Sequence, residues 1–188
     1  LWLASYPKSG NTWVRALLST YLNYNNNLDV FENIKSISKF PNESQFDWIL
    51  NSKKLNDPFE MSKYWIQAQT RINLKNDFNI LKTHNFAGSL KGNWFTNLEN
   101  TAGFIYIVRD PRSVAVSLKY HNNYENFKQS INSILNPNLT YMPNHEKFVE
   151  VRGSWKIHYN SWVNRNYPML IIRYEDLVLT VDDTEFAI

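Results

Sequence analysis

The sequence predicts a three-layer α/β domain built on a central parallel sheet. Three observations carry that prediction. Four short apolar runs have strand character, most of them are separated by segments of helix length, and acid–proline pairs mark helix starts at two places. The first strand covers Leu1–Ser5, and the helix after it covers Thr12–Tyr24, with Trp13, Leu17, Leu18 and Tyr21 at helical spacing. Segment 25–56 is polar and irregular and reads as loops or short helices. Asp57-Pro58 opens a helix running through Tyr64, Ile66 and Ala68 toward Leu74. The second strand is Phe78–Thr83 and the third Gly103–Arg109. Within the third, Phe104-Ile105-Tyr106-Ile107-Val108 is apolar without alternation, as a strand buried on both faces should be. Asp110-Pro111 then starts a helix with Val114, Val116 and Leu118. Segment 122–144 is again polar, a helix is expected over His145–Asn164 with Phe148, Trp155, Tyr159 and Trp162, and Met169–Tyr174 closes the sheet. In sheet enzymes, polar insertions such as 25–56 and 122–144 often shape an acceptor pocket.

Composition narrows the function before any motif is read. The length of 188 residues suits one domain. Seven Trp, eleven Tyr and eleven Phe supply enough apolar surface for a packed core, so a disordered chain is excluded. No apolar run approaches the roughly 18–20 residues of a bilayer span, so this stretch holds no membrane segment. The absence of cysteine excludes a disulfide scaffold, a thiolate zinc site and a cysteine nucleophile. It fits a reducing compartment, and a cytoplasmic setting is expected. A net charge of +3, dispersed along the chain, does not announce nucleic acid but can surround one anionic ligand. His121, His145 and His158 show no ligand spacing with carboxylates, so no metal is expected. The chain opens on a strand without Met and stops soon after another, so it reads as a domain trimmed at both ends.

Two short strings carry chemistry. Ser5-Tyr6-Pro7-Lys8-Ser9-Gly10-Asn11-Thr12 is a small-residue turn between a strand and a helix, which makes an anion site from free backbone N–H groups and the helix dipole. Gly10 lets the backbone approach a ligand, Lys8 adds a mobile cation, and Ser9 and Thr12 add hydroxyls. The nucleoside-triphosphate loop has its Lys after the second Gly. Here Lys8 precedes the only Gly of the loop, so the site is similar to that loop without being one. The second string, Ile105 to Ser117, ends a parallel strand at Arg109, where open α/β sheets bind ligands. Ser117 follows about two turns into the next helix, and a guanidinium fork plus a hydroxyl suits a terminal phosphate. The plain alternatives are a strand–turn–helix with a surface lysine and an arginine paired with Asp110.

Tyr6-Pro7-Lys8-Ser9-Gly10-Asn11-Thr12-Trp13 resembles the 5′-phosphosulfate loop of sulfotransferases that use 3′-phosphoadenosine 5′-phosphosulfate (PAPS), many of which have Thr at position 11. The resemblance implies the nucleotide-kinase-like sulfotransferase fold and makes Trp13 the residue that stacks on adenine. It makes Arg109 and Ser117 the 3′-phosphate site. Leu81-Lys82-Thr83-His84 matches the family's K-T-H string, which implies that His84 takes the proton of an acceptor hydroxyl or amine. Lys8 then neutralises the leaving 5′-phosphate and Lys82 holds the sulfuryl group, with the remaining contacts from Ser9, Gly10, Asn11 and Thr12. Gly153-Ser154-Trp155 and Ile171-Ile172-Arg173-Tyr174-Glu175-Asp176 resemble two further family strings, and Tyr174 corresponds to an adenine contact. The implied acceptor is a small molecule or glycan. The family's late R-K-G-x-x-G segment is not found, which implies weak donor binding and poor transfer by these residues alone, unless Arg112 or Arg173 replaces it. Two other readings stay open: a small-molecule or nucleotide kinase, weakened by the position of Lys8, and a non-catalytic nucleotide-binding relic.

Overall fold

Strand β1 (Trp2–Ser5) is buried at all four residues, which requires helices on both of its faces. The computed structural model describes residues 1–24, 29–50, 57–75, 78–141 and 148–182, and shows how that cover is made. After β1 come α1 (Asn11–Leu22), α2 (Val30–Asn33), β2 (Ser38–Lys39), α3 (Asp47–Leu50), α4 (Pro58–Ser62) and α5 (Trp65–Asn73). The chain continues through β3 (Leu81–Thr83), β4 (Ser89–Leu90), β5 (Asn93–Trp94), β6 (Phe104–Val108), α6 (Pro111–His121) and α7 (Phe127–Leu135). It ends with β7 (Thr140–Tyr141), β8 (Glu150–Val151), α8 (Trp155–Val163), β9 (Met169–Arg173) and α9 (Tyr174–Asp182).

Five strands form one sheet in the order β2-β3-β1-β6-β9, and every neighbouring pair is parallel. Side chains alternate between its faces. Trp2, Ala4, Phe104 and Tyr106 join Phe40, Trp65, Phe95 and Trp162 in one apolar cluster, which brings α5 and α8 onto that face. Leu3 and Ile107 pack with Val14, Leu18, Ile172 and Leu177, which brings α1 and α9 onto the other. The result is the predicted three-layer architecture. Burial of each large aromatic contributes about 1.5–3 kcal/mol, so Trp2, Trp65, Phe95 and Trp162 are principal stabilisers of the first face. Because the sheet is parallel, the C-terminal ends of β1, β3, β6 and β9 lie along one edge, and the loops there share a crevice.

Several sequence expectations need correction. The helix expected from Asp57 to Leu74 is two helices. Asp57 caps the first through the N–H groups of Phe59 and Glu60, and Tyr64 N–H then donates to Met61 O, tightening and ending that turn before α5 begins. The expected helix over His145–Asn164 begins only at Trp155; its first residues, 145–147, lie outside the described residues. Glu150–Val151 instead pairs antiparallel with Thr140–Tyr141, Gly153 turns the chain at φ 63°, and Ser154 caps α8 by accepting from Ile157 N–H. Phe148 reaches the core from extended chain, which mimicked helical spacing. Segment 122–144, which reads as loops or short helices, holds the short helix α7, capped by Asn126. Of the other segment expected to be irregular, 25–28 and 51–56 lie outside the described residues, as does the chain after 182.

Candidate active site

The β1–α1 loop is held in an unusual backbone conformation. Lys8 has φ 65° and Gly10 φ 92°, so two residues of the turn are left-handed, a backbone conformation of the kind that forms anion-binding nests. Only glycine fits at position 10 for a second reason: a Cβ there would lie 2.3 Å from Cδ2 of Tyr174. Asn11 starts α1, and its side-chain amide donates back to Leu3 O at 3.3 Å and Ser5 Oγ at 3.2 Å, fastening the helix start to β1.

Arg109, at the end of β6, closes the same loop from the side. Its Nη1 donates to Lys8 O at 2.9 Å, and its guanidinium lies 4.2 Å over the ring of Tyr174. Tyr174, the first residue of α9, therefore lies against both Arg109 and Gly10. Glu175 secures this helix start by accepting from Asp110 N–H at 2.9 Å. Asp110 pairs with Arg112, not Arg109, and Arg109 is among the residues that line the cavity.

His84 follows β3 and faces β1. Its Nδ1 lies 2.8 Å from Ser5 O and 3.3 Å from Ser5 Oγ. A carbonyl oxygen only accepts, so Nδ1 carries the proton and Nε2 is left with its lone pair. Burial, followed by the charge of Lys82, holds His84 well below the ordinary imidazole range, so the ring is neutral near pH 7. A second histidine fixes the first from behind. His158 is fully buried; its Nε2 donates to His84 O at 3.1 Å, and its Nδ1 accepts from Tyr106 Oη at 2.8 Å. Trp162 Nε1 donates to Asn85 O at 3.0 Å, so both carbonyls after β3 are held by α8.

The loop, the histidine and Arg109 open into one cavity of about 640 Å³. Its lining includes Lys8, Lys39, Lys82, Arg109 and Arg152, against one carboxylate, Glu150, among the described residues. Five cations around one acid fit a polyanionic ligand, which tests well for a nucleotide carrying both a 3′-phosphate and a 5′-phosphosulfate. Burial, opposed by Glu150 and reinforced by Lys39 and Arg152, lowers Lys82 to about 8. Glu150 itself is pushed up by burial, but His84, Arg152, Lys82 and Lys39 together hold it far below the carboxylate range. It is tied to Lys39 at 3.1 Å and Arg152 at 2.5 Å.

A sequence profile of the sulfotransferase domain matches residues 1–184. The chain belongs to the sulfotransferase family. It is 27% identical to Sulfotransferase 1E1 of Rattus norvegicus over 182 residues, covering 94% of this chain and 53% of that protein. It is 29% identical to Sulfotransferase 1B1 of Mus musculus over 182 residues, covering 93% of this chain and 52% of that one. The chain thus spans about half the length of the curated relatives it matches. Its fold matches the crystal structure of retinol dehydratase in a complex with retinol and PAP, with a TM-score of 0.56 at 21% identity, over 96% of this chain and 55% of that one.

Within this sulfotransferase domain, Lys8, Gly10, Asn11, Thr12, Trp13, Lys82, His84, Arg109, Ser117 and Tyr174 all line the one cavity. Ser9 is the exception. Between two left-handed residues its side chain turns inward, is fully buried, and its hydroxyl has no hydrogen-bond partner among the described residues. Arg112 and Arg173 pair with Asp110 and Asp176 and do not line the cavity. Sequence reading missed Lys39, Tyr141, Glu150 and Arg152, which sit on two-residue strands or just beside them, too short for any periodicity. It also missed His158, whose helix spacing with Trp155 and Trp162 was legible but whose partner, Tyr106, lies 52 residues away. Among the described residues no group of His, Asp and Glu could hold a metal ion, and no helix is long and apolar enough to cross a membrane.

Proposed function

We propose that this domain transfers a sulfuryl group from PAPS to a hydroxyl or amine of a small-molecule acceptor. One observation carries the reading: a neutral histidine with a free Nε2 shares a cavity with two left-handed loop residues and five cations. The donor, when bound, supplies an activated sulfur with a phosphate leaving group. Lys8 and the α1 N-terminus hold the 5′-phosphate and neutralise the charge it gains, while Lys82 faces the sulfuryl oxygens. Arg109 and Ser117 hold the 3′-phosphate, and Trp13 with Tyr174 bracket the adenine. His84 Nε2 takes the proton of the acceptor as its oxygen or nitrogen bonds to sulfur. The negative charge of the donor raises His84 toward the working range, so the base is strengthened when it is needed.

A kinase reading has less support. The one carboxylate in the lining among the described residues is saturated by Lys39 and Arg152 and is not available to a magnesium ion. The test is incubation of the protein with ³⁵S-labelled PAPS and a panel of hydroxylated and amine acceptors, with [γ-³²P]ATP run in parallel. Label transfer from PAPS and none from ATP is expected. The reverse would replace the sulfotransferase reading with the kinase one.

A further inference from the structure

The wall of the cavity opposite the phosphate loop is built by a hairpin that no sequence motif marks. In the β7–β8 pair, Tyr141 sits opposite Glu150 and Thr140 opposite Val151. Tyr141 and Glu150 line the charged cavity, while Thr140 and Val151 line a separate apolar pocket with Phe86 and Leu90. The Glu150 side chain is 3% exposed. Its Oε1 accepts from Lys39 Nζ at 3.1 Å, and its Oε2 accepts from Arg152 Nε at 2.9 Å and Nη2 at 2.5 Å. Arg152 is in turn stacked 3.9 Å over Tyr141. Lys39 and Lys82 are register partners on adjacent parallel strands, so their ammonium groups leave the same side of the sheet. Lys82 makes no ion pair of its own among the described residues.

Resting on the sulfotransferase reading, we propose that Glu150 is a positioning residue: it gathers Lys39 and Arg152 at this wall and keeps the neighbouring Lys82 charged beside His84. The groups that face Lys82 are Lys39 from β2, Arg152 and Glu150 from the hairpin and the turn after it, Arg15 from α1, and His84 from its own strand end. Glu150 is the one negative charge among them. Without it, the cations Lys39, Arg152 and Arg15 would surround an ammonium with nothing opposing them. Guanidinium groups do not give up a proton in proteins, and burial already lowers Lys82, so Lys82 is the group that yields. A neutral Lys82 would no longer stabilise charge on the sulfuryl oxygens.

The test reads Lys82 directly. Trace labelling with acetic anhydride between pH 6 and 10, followed by mass spectrometry, reports the pH at which its amine becomes reactive. In the native protein that midpoint is expected at about 8. In Glu150→Gln it is expected to fall by about one pH unit or more, the effect of removing an opposite charge at close range. In Lys39→Gln, where a like charge is removed, it is expected to rise. A folded Glu150→Gln protein with the native midpoint would overturn the proposal. If Glu150→Gln does not fold, Glu150→Asp, which draws the carboxylate back by one methylene, decides alone: a native midpoint would overturn the proposal. A carboxylate that merely braces the hairpin would leave the Lys82 midpoint native in either folded variant. Because the labelling needs neither donor nor acceptor, it gives its answer even if PAPS transfer is absent, so failure of this inference and failure of the sulfotransferase reading are separable.

Discussion

At the scale of single residues, the proposed role of His84 as base rests on what its other nitrogen does. Ser5 O pins the proton on Nδ1, His158 holds the His84 carbonyl, and Tyr106 completes the chain by donating to His158. Replacing His84 by Ala removes the acceptor of the proton without touching the loop or Arg109. The expected outcome is a fall in kcat of about 10²–10⁴, the range of a positioned general base, with adenosine 3′,5′-bisphosphate affinity retained within about twofold. Single-turnover kinetics and calorimetry check the two halves, and a loss in affinity as large as the loss in rate would show that His84 serves binding. Lys82, His84, Arg109 and Tyr174 were legible in sequence because each lies near a strand end or at a helix start, and Lys8 because it stands in the turn between β1 and α1, positions at which open parallel sheets concentrate ligands. Glu150, Arg152 and Lys39 were not, because their role comes from a hairpin and an edge strand whose pairing is set by tertiary contact.

Among elements, the β1–α1 loop and the start of α9 are one unit. Gly10 leaves no room for a Cβ against Tyr174, and Arg109 lies over that ring while donating to Lys8 O. Gly10→Ala would impose φ 92° on a residue with a side chain and push Tyr174 out of place. The expected cost is about 1–3 kcal/mol of stability from the backbone alone, together with loss of bisphosphate binding. Chemical denaturation and titration measure both, and native values for both would contradict this account of the loop. Elements defined by local signals were readable: α6 from Asp110-Pro111, and β6 from its unbroken apolar run. The helix expected to start at His145 begins later because Phe148 only mimics the helical spacing that Trp155, Tyr159 and Trp162 show on α8, while the β7–β8 pairing that keeps residues 150–151 extended is non-local.

For the molecule as a whole, the buried histidines make stability depend on pH with a definite sign. His158 is lowered to about 3 by burial, against an ordinary value of 6.5. The unfolded chain therefore takes up this proton first as pH falls, and stability present above about 6.5 is lost progressively down to about 3. Glu150, held below its ordinary value, acts in the same direction once pH drops under the unfolded carboxylate range. Denaturant midpoints should fall between pH 7 and pH 5, at up to about 1.4 kcal/mol per pH unit for each such group, and more steeply in the native protein than in His158→Gln. Equal slopes for the two would show that His158 is not the group responsible.

The central claim is that this crevice is built for a nucleotide phosphorylated at both the 3′ and 5′ positions. Calorimetric titration with adenosine 3′,5′-bisphosphate, 5′-AMP and Mg·ATP tests it most directly. In the proposed site, Arg109 and Ser117 would give a 3′-phosphate charge-assisted contacts worth about 1.5–3 kcal/mol and a 3′-hydroxyl nothing comparable. The account predicts that the bisphosphate binds at least about tenfold more tightly than 5′-AMP and more tightly than Mg·ATP. Equal affinity for the bisphosphate and 5′-AMP, or a preference for Mg·ATP, would contradict it.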